Sequence, residues 1–372
     1  MKRIVSQLLL DTLCLADRGT ITANGWDRVS VDGLLALVRY EGAELWLSRR
    51  LQQRGITLPD DLRTALRGAV RATTLTNMRI DEQTVAVTSL LTSADLPWAL
   101  IKGQARRAAT DRYPMADARP VSDVDLLIPT TRVDEAWALL RNTGFRRVYE
   151  EGEVDFVVTH HLPALIDDSK VSVALHRTFN ASVHPEEAWR RATDQADAVS
   201  WSGISTTVPN ATELFWQALT HGVADSDGGL FLRTFLNVSI ILVSAEPIQW
   251  AVIEERLAAN EVLDNETGNV VARERLCQWL DIASMLAGVP VPHALQPQRH
   301  VDISTILAWR GTVLQSSLSR RVKERLLGEM VRLELGLPFA RVWGKPTVLR
   351  RMRAYLTSAI WRTCYRIWRA QA

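Results

Sequence analysis

The first 93 residues carry their apolar side chains at the three- and four-residue spacing of amphipathic helices. Leu34, Leu35, Leu37, Val38, Leu45 and Leu51 fall in one helical segment, which Gly55 breaks and Leu58-Pro59 closes. Asp60 is placed to cap the next helix, with Leu62, Leu66 and Val70 on its inner side. A long helix over 71–93 is predicted to turn Leu75, Met78, Val85 and Leu91 toward a core. From Pro97 the period shortens. Residues 97–101 predict a strand, 104–110 a helix and 123–128 a second strand. A helix opening at Thr130 or Thr131 then carries Val133, Trp137 and Leu140 to a stop at Gly144. Further strands are predicted over 145–149, 154–159 and 171–176. After Pro209 the helical period returns. Asn210 stands three residues ahead of Glu213, as in a capping box, and Leu214, Phe215, Ala218 and Leu219 follow. Asp225-Ser226-Asp227-Gly228-Gly229 reads as a loop, and breaks fall at Pro290-Val291-Pro292 and between Gly344 and Pro346.

These patterns divide the chain into a helical region over 1–93, an α/β core over 94–208 and a helical region over 209–372. The fold class is therefore α+β, a small mixed sheet flanked by helices on both sides. At 372 residues and 47% hydrophobic, the chain can bury a large core. A net charge of +2 argues against dedicated nucleic-acid binding. Cys14, Cys277 and Cys364 form neither a disulfide framework nor a zinc motif and suit a reducing cytoplasm. Asp11 interrupts the short apolar run after Lys2 and Arg3, so a cytosolic helix is expected there rather than a signal peptide. No apolar run is long enough for a membrane span.

The segment from Ala99 to Pro129 carries the chemistry. A strand ends in Lys102-Gly103, and Asp123-Val124-Asp125 opens a second strand that continues as Leu126, Leu127 and Ile128. Side chains alternate along a strand, so both aspartates share a face. Two carboxylates at the edge of a buried strand repel, and a divalent cation would neutralise them. Hard oxygen ligands suit magnesium, which commonly takes one or two carboxylates together with substrate phosphates. Gly103 lets a backbone approach a phosphate, and Lys102 can meet it as a point charge. Arg119 can contact a phosphate or pair with either aspartate. The plainer alternative is a strand start with solvated carboxylates.

Leu100-Ile101-Lys102-Gly103, Tyr113-Pro114, Arg119 and Asp123-Val124-Asp125-Leu126-Leu127-Ile128 together resemble an uncharacterised bacterial nucleotidyltransferase family with an LKG, YP, R and DIDLL pattern. The resemblance extends through Leu175-His176 and on to Pro209, Glu213 and His221. It implies the nucleotidyltransferase core also found in DNA polymerase beta and in aminoglycoside-modifying enzymes. It further implies a nucleoside triphosphate, expected to be ATP, and magnesium, or manganese in its place. Asp123 and Asp125 would hold the metal, and Lys102, Gly103 and Arg119 would bind the nucleotide. The acceptor is an unidentified small molecule or peptide. The third carboxylate usual in such enzymes is expected on the 171–176 strand, where this chain has Ala174. The site then works with two aspartates, or Asp155 or Asp167 substitutes, or catalysis is impaired. Where related chains carry an arginine and then an aspartate, this one has Arg233 and Asn237, and asparagine supplies no charge.

His176, at the end of the strand expected beside the aspartates, is a candidate catalytic base or phosphate ligand, or else a hydrogen-bonded structural histidine. His221 is expected to pack, with a place on the cleft as the alternative. His160-His161 lacks zinc-ligand spacing, because neighbours on a strand point to opposite faces. Asp167-Asp168 reads as an exposed turn. Gly-x-Ser-x-Gly, Walker and Gly-x-Gly-x-x-Gly motifs are absent from the sequence. After Glu334 every charged side chain is cationic. Residues 349–372 set Arg350, Arg351, Arg353, Arg362, Arg366 and Arg369 against Leu356, Ile360, Trp361 and Trp368. That basic amphipathic stretch fits an anionic membrane surface or an acidic partner, or a last helix packed on its own domain. Two functions follow: magnesium-dependent transfer of a nucleoside monophosphate, expected to be AMP, with release of pyrophosphate; or a catalytically weakened relative that binds a nucleotide or a partner.

Overall fold

The computed structural model describes residues 2–15, 23–148, 160–180, 182–224, 232–244, 246–263 and 270–316. Helices α1 (Lys2–Leu13), α2 (Val31–Glu41), α3 (Glu44–Gln53) and α4 (Asp60–Ser93) come first. Helix α2 starts where Ser30 accepts a hydrogen bond from the Gly33 amide and ends where Gly42 turns left-handed at φ 59°. Helix α4 is one unbroken run of 34 residues, not two helices meeting near residue 70. Its buried face runs through Leu66, Ile80, Val87 and Leu91, whereas Leu75 and Met78 are 49% and 59% exposed. The expectation for those two residues was wrong because the buried face is partly polar. Asn77, Gln83, Thr84 and Thr88 lie on it, so apolar spacing alone does not mark it.

The sheet is built from β1 (Ala99–Leu100), β2 (Asp123–Leu127), β3 (Arg146–Arg147), β4 (Leu165–Ile166) and β5 (Ser172–His176), in the order β1-β2-β5-β4-β3. Strands β2 and β5 are parallel and the other pairs antiparallel. Between β1 and β2 lies α5 (Lys102–Ala108), which begins two residues before the expected helix. Between β2 and β3 lies α6 (Val133–Asn142). The parallel pairing requires a crossover, which α6, β3 and β4 supply. The predicted strand over 154–159 falls outside the described residues, as do the 225–229 loop, the 344–346 break, Cys364 and the 349–372 stretch. Cys14 and Cys277 are free and buried.

Strand β4 was not anticipated, nor were α7 (Pro185–Thr193) and the hairpin β6 (Asp197–Trp201) and β7 (Ile204–Val208). A two-residue turn joins the hairpin, with Ser202 at φ 49° and Gly203 at φ 81°. Ser-Gly between two alternating runs was the available signal.

Helices α8 (Ala211–Ala224), α9 (Leu232–Leu242), α10 (Trp250–Ala258), α11 (Arg273–Ala287) and α12 (Ile303–Leu314) complete the described chain. The capping box expected at Asn210 is present on one side, with Asn210 Oδ1 accepting from the Glu213 amide at 2.9 Å. Helices α8, α9 and α11 pack on one another around Trp216, Phe235 and Trp279, while α12 packs back on α1 and α2. One continuous apolar core runs through the sheet and both helical regions. No helix among the described residues is long and apolar enough to cross a membrane.

A buried ion pair ties these layers together. Glu41 and Arg310 are both fully buried, and Arg310 Nη1 donates to Glu41 Oε1 at 2.6 Å. The other oxygen, Oε2, accepts from the Leu232 amide at 2.6 Å, satisfying a free donor in the first turn of α9. One carboxylate thus joins α2, α9 and α12. Glu41→Ala leaves a guanidinium buried without its counter-charge and is expected to cost about 3–5 kcal/mol, measured by urea unfolding. A loss under about 1 kcal/mol, the level of an exposed pair, would show that water reaches the site.

Candidate functional site

Strand β2 projects Asp123 and Asp125 from one face, and its register with β5 sets Asp125 beside Ala174 and Leu127 beside His176. Asp125 is almost sealed. Its Oδ1 accepts from His176 Nε2 at 2.6 Å and from Lys102 Nζ at 3.2 Å. Burial alone would raise its pKa. The Lys102 ammonium and the His176 contact overcome that and hold the carboxyl well below the usual carboxylate range. Asp123 is half-buried and accepts from Ser122 Oγ at 2.9 Å. Its pKa is raised, first by the charge of Asp125 and then by burial.

Lys102 starts α5 in the left-handed region, at φ 51°. Its amide donates to Gln217 Oε1 of α8 at 3.1 Å. At Gly103 the chain passes so close to Arg119 that a Cβ would stand 2.0 Å from Arg119 Nη1. Arg119 in turn donates from Nε to Asn237 Oδ1 of α9 at 3.0 Å. The loop before β2 is held from α4, where the buried Asn77 donates to the Arg119 carbonyl and accepts from the Val121 amide. Lys102, Gly103, Arg119, Asp123 and Asp125, with His221, Arg233 and Asn237, line one cavity of about 230 Å³. Arg233 passes over Gly42, where a Cβ would approach Arg233 Cδ to 2.9 Å.

His176 has a different place from a group that meets substrate. It is fully buried behind Asp125 and does not line the cavity. Burial lowers its pKa to about 4, with the Lys102 ammonium the second cause. His160 and His161 also correct the strand argument. Neither lies in a regular strand, and their rings meet edge to face at 4.9 Å. Both stand near His176, at 5.3 and 5.2 Å between ring centroids. Burial pushes the His160 pKa down to about 2. His221, expected to pack, is the residue of α8 that is not buried, and it opens onto the cavity. The protein around the cavity and the Lys102 ammonium still depress its pKa.

Gln217 and Arg106 carried weaker signals. Glu213, Gln217 and His221 recur at four-residue spacing in an otherwise apolar helix, a polar stripe that marks a working face. Arg106 follows Lys102 by one helical turn and is fully buried. Its Nε and Nη1 have no hydrogen-bond partner, and burial lowers its pKa to about 10.

The donor set suits a hard divalent cation. Asp123 and Asp125 bring two mutually repelling carboxylates to one cavity, and Oδ2 of each is without a partner among the described residues. Among the described residues no third carboxylate joins them. Ala174 presents a methyl group, Asp155 falls outside the described residues, and Asp167 is engaged by Gln83 and Ser169. Among the described residues no group of three or more His, Cys, Asp or Glu side chains is arranged to hold a metal.

The paired-aspartate strand faces a cavity that Lys102, Arg119 and Arg233 also line. The chain belongs to the uncharacterised nucleotidyltransferase family, which matches it over residues 27–266. No curated protein matches it. Two solved structures are similar in part. The solution structure of the antibiotic-resistance factor ANT(2'')-Ia is 14% identical over 50% of this chain and 96% of its own, with a TM-score of 0.36. An antigenic nucleotidyltransferase-like protein from Paracoccidioides brasiliensis is 16% identical over 59% of this chain and 97% of its own, with a TM-score of 0.35.

Two outcomes are expected. Gly103→Ala gains about 1 kcal/mol of helix propensity and displaces only the end of a flexible side chain. Its melting temperature should stay near that of the parent while a crystal structure shows Arg119 moved off Asn237; an unmoved Arg119 would mean that the helix gave way instead. The second concerns pH. The folded pKa of His176 lies below its unfolded value of 6.5, so the unfolded chain binds the extra proton between about pH 6.5 and 4. Stability should fall as pH drops through that window, by up to about 1.4 kcal/mol per unit for this residue. His176→Gln should flatten the slope in urea unfolding measured across that range; an unchanged slope would assign it to other groups.

Proposed function

We propose that this chain transfers a nucleoside monophosphate, AMP from ATP in the simplest case, to an acceptor and releases pyrophosphate. The observation that carries this reading is the pair Asp123 and Asp125 on one strand face, lining the same cavity as Lys102 and Arg119. A volume of about 230 Å³ falls below the usual range for a whole small-molecule ligand. It suits the phosphate tail, with base and sugar at the mouth.

Magnesium, or manganese in its place, would be held by Asp123 and Asp125 and would supply charge neutralisation and alignment of the phosphates. Lys102, Arg119 and Arg233 offset negative charge on the phosphate oxygens. Gly103, with no Cβ, leaves room for the Arg119 guanidinium to lie against the start of α5. Asn237 fixes the Arg119 fork. His176 is a positioning residue that holds Asp125 in one orientation. The acceptor, a small molecule or a peptide, approaches past the helices on the far side of the cavity, which would choose it.

The second reading, a weakened relative that binds a nucleotide or a partner, is favoured by one observation. Ala174 stands directly beside Asp125 and ligates nothing. Calorimetry with ATP and magnesium, followed by a pyrophosphate-release assay over a panel of acceptors, separates the two. Asp123→Asn is the cleaner variant, since Asp123 lacks the buried ion pair of Asp125. It should reduce magnesium-dependent pyrophosphate release at least about 100-fold, the scale of losing one electrostatic contact to the transition state, with the melting temperature retained. Full activity in both Asp123→Asn and Asp125→Asn would remove the assignment, and nucleotide binding without turnover would favour the binder.

A further inference from the structure

Lys102 stands at the junction of two demands. Its left-handed backbone and the hydrogen bond from its amide to Gln217 fix where the side chain starts. Its ammonium then lies 3.2 Å from Asp125 Oδ1 and 3.4 Å from His176 Nε2. The Lys102 and Asp125 side chains are 11% and 9% exposed. The carboxylate read above as a metal ligand therefore already carries a cation.

Asp125 Oδ2 has no partner among the described residues, so a metal is not excluded by shape. It is opposed by charge, because two cations on one carboxylate repel, and with little water between them the repulsion is weakly screened. A triphosphate alters that balance. Its oxygens offer the ammonium a second anionic partner within the same cavity, which Lys102 already lines. A purely structural ion pair would not need to face a cavity shared with Arg119 and Arg233.

Resting on the nucleotidyl-transfer reading, we infer that Lys102 makes metal binding conditional on the triphosphate. In the free protein the ammonium holds Asp125. When metal and nucleotide arrive together, it turns to the phosphates and yields the carboxylate. Neither ligand then binds well alone, and each strengthens the other by the same factor.

Manganese(II) is the probe, with free ion read by electron paramagnetic resonance, α,β-methylene ATP as a nucleotide that cannot react, and a protein-free titration that subtracts the manganese the analogue binds by itself. The parent protein should bind manganese weakly alone and about tenfold or more tightly with the analogue, within the usual span of coupling between two ligands. Lys102→Met should bind manganese alone about tenfold more tightly than the parent, and the analogue should add little. Lys102→Arg keeps a cation and should keep the parental pattern. The comparison of the parent with and without analogue needs no variant, so a poorly folded Lys102→Met leaves the test intact. Tight manganese binding by the parent without the analogue, abolished in Asp125→Asn, would overturn this inference and leave the function standing. Lys102→Met binding no more tightly than the parent would do the same. No manganese binding in any combination would overturn the function and this inference with it.

Discussion

The constraint on which the site depends is the burial of one carboxylate. Asp125 is the third residue of β2 and pairs with Ala174 of the parallel strand β5. An isolated carboxylate there would either take up a proton or cost several kcal/mol. It stays ionised because β5 delivers His176 and the first residue of α5 delivers Lys102. Each of those needs its own support. Lys102 reaches Asp125 from a left-handed backbone whose amide is tied to Gln217 on α8. His176 ends a strand whose register is set by five consecutive pairings with β2. Through Lys102 and Gln217 this carboxylate is tied to α8, alongside the Arg119–Asn237 contact with α9 and the shared apolar core.

Around that centre, polar side chains from distant segments fix what the sheet alone leaves loose. The loop carrying Arg119 has no regular partner strand, and Asn77 of α4 grips it from both sides. The guanidinium of Arg119 is set by Asn237 of α9, and α9 is itself seated by Glu41 through the Leu232 amide. Buried polar groups of this kind are costly when left half-satisfied. Here each holds a cavity residue or an element that supplies one. The polar face of α4 follows from the same need, because a wholly apolar face could not hold the loop.

This explains what was legible in the sequence. The aspartate-valine-aspartate strand, the Lys-Gly turn and the return to helix after Pro209 depend on local spacing, and local spacing can be read. The inward face of α4 could not be read from apolar period, because the polar Asn77 and Gln83 lie on it and Met78 lies outside. Gln217 and Asn237 meet residues 115 and 118 positions away, and no periodicity encodes such pairings. The histidine pair failed for another reason. Neighbouring side chains point apart only in a regular strand, and His160 and His161 do not lie in one.

Ala174 and Lys102 are best understood together. A carboxylate at position 174 would stand directly beside Asp125 in the parallel register. It would add a third negative charge to a cluster in which Asp125 already raises the pKa of Asp123. One ammonium could not offset three carboxylates in so little water. With alanine there, two carboxylates face the Lys102 ammonium and the nearby Arg119 guanidinium, and the buried cluster is close to neutral by itself. The small residue and the cation at the helix start are thus two parts of one electrostatic arrangement, in which protein charge does in the free state what bound ions would otherwise have to do.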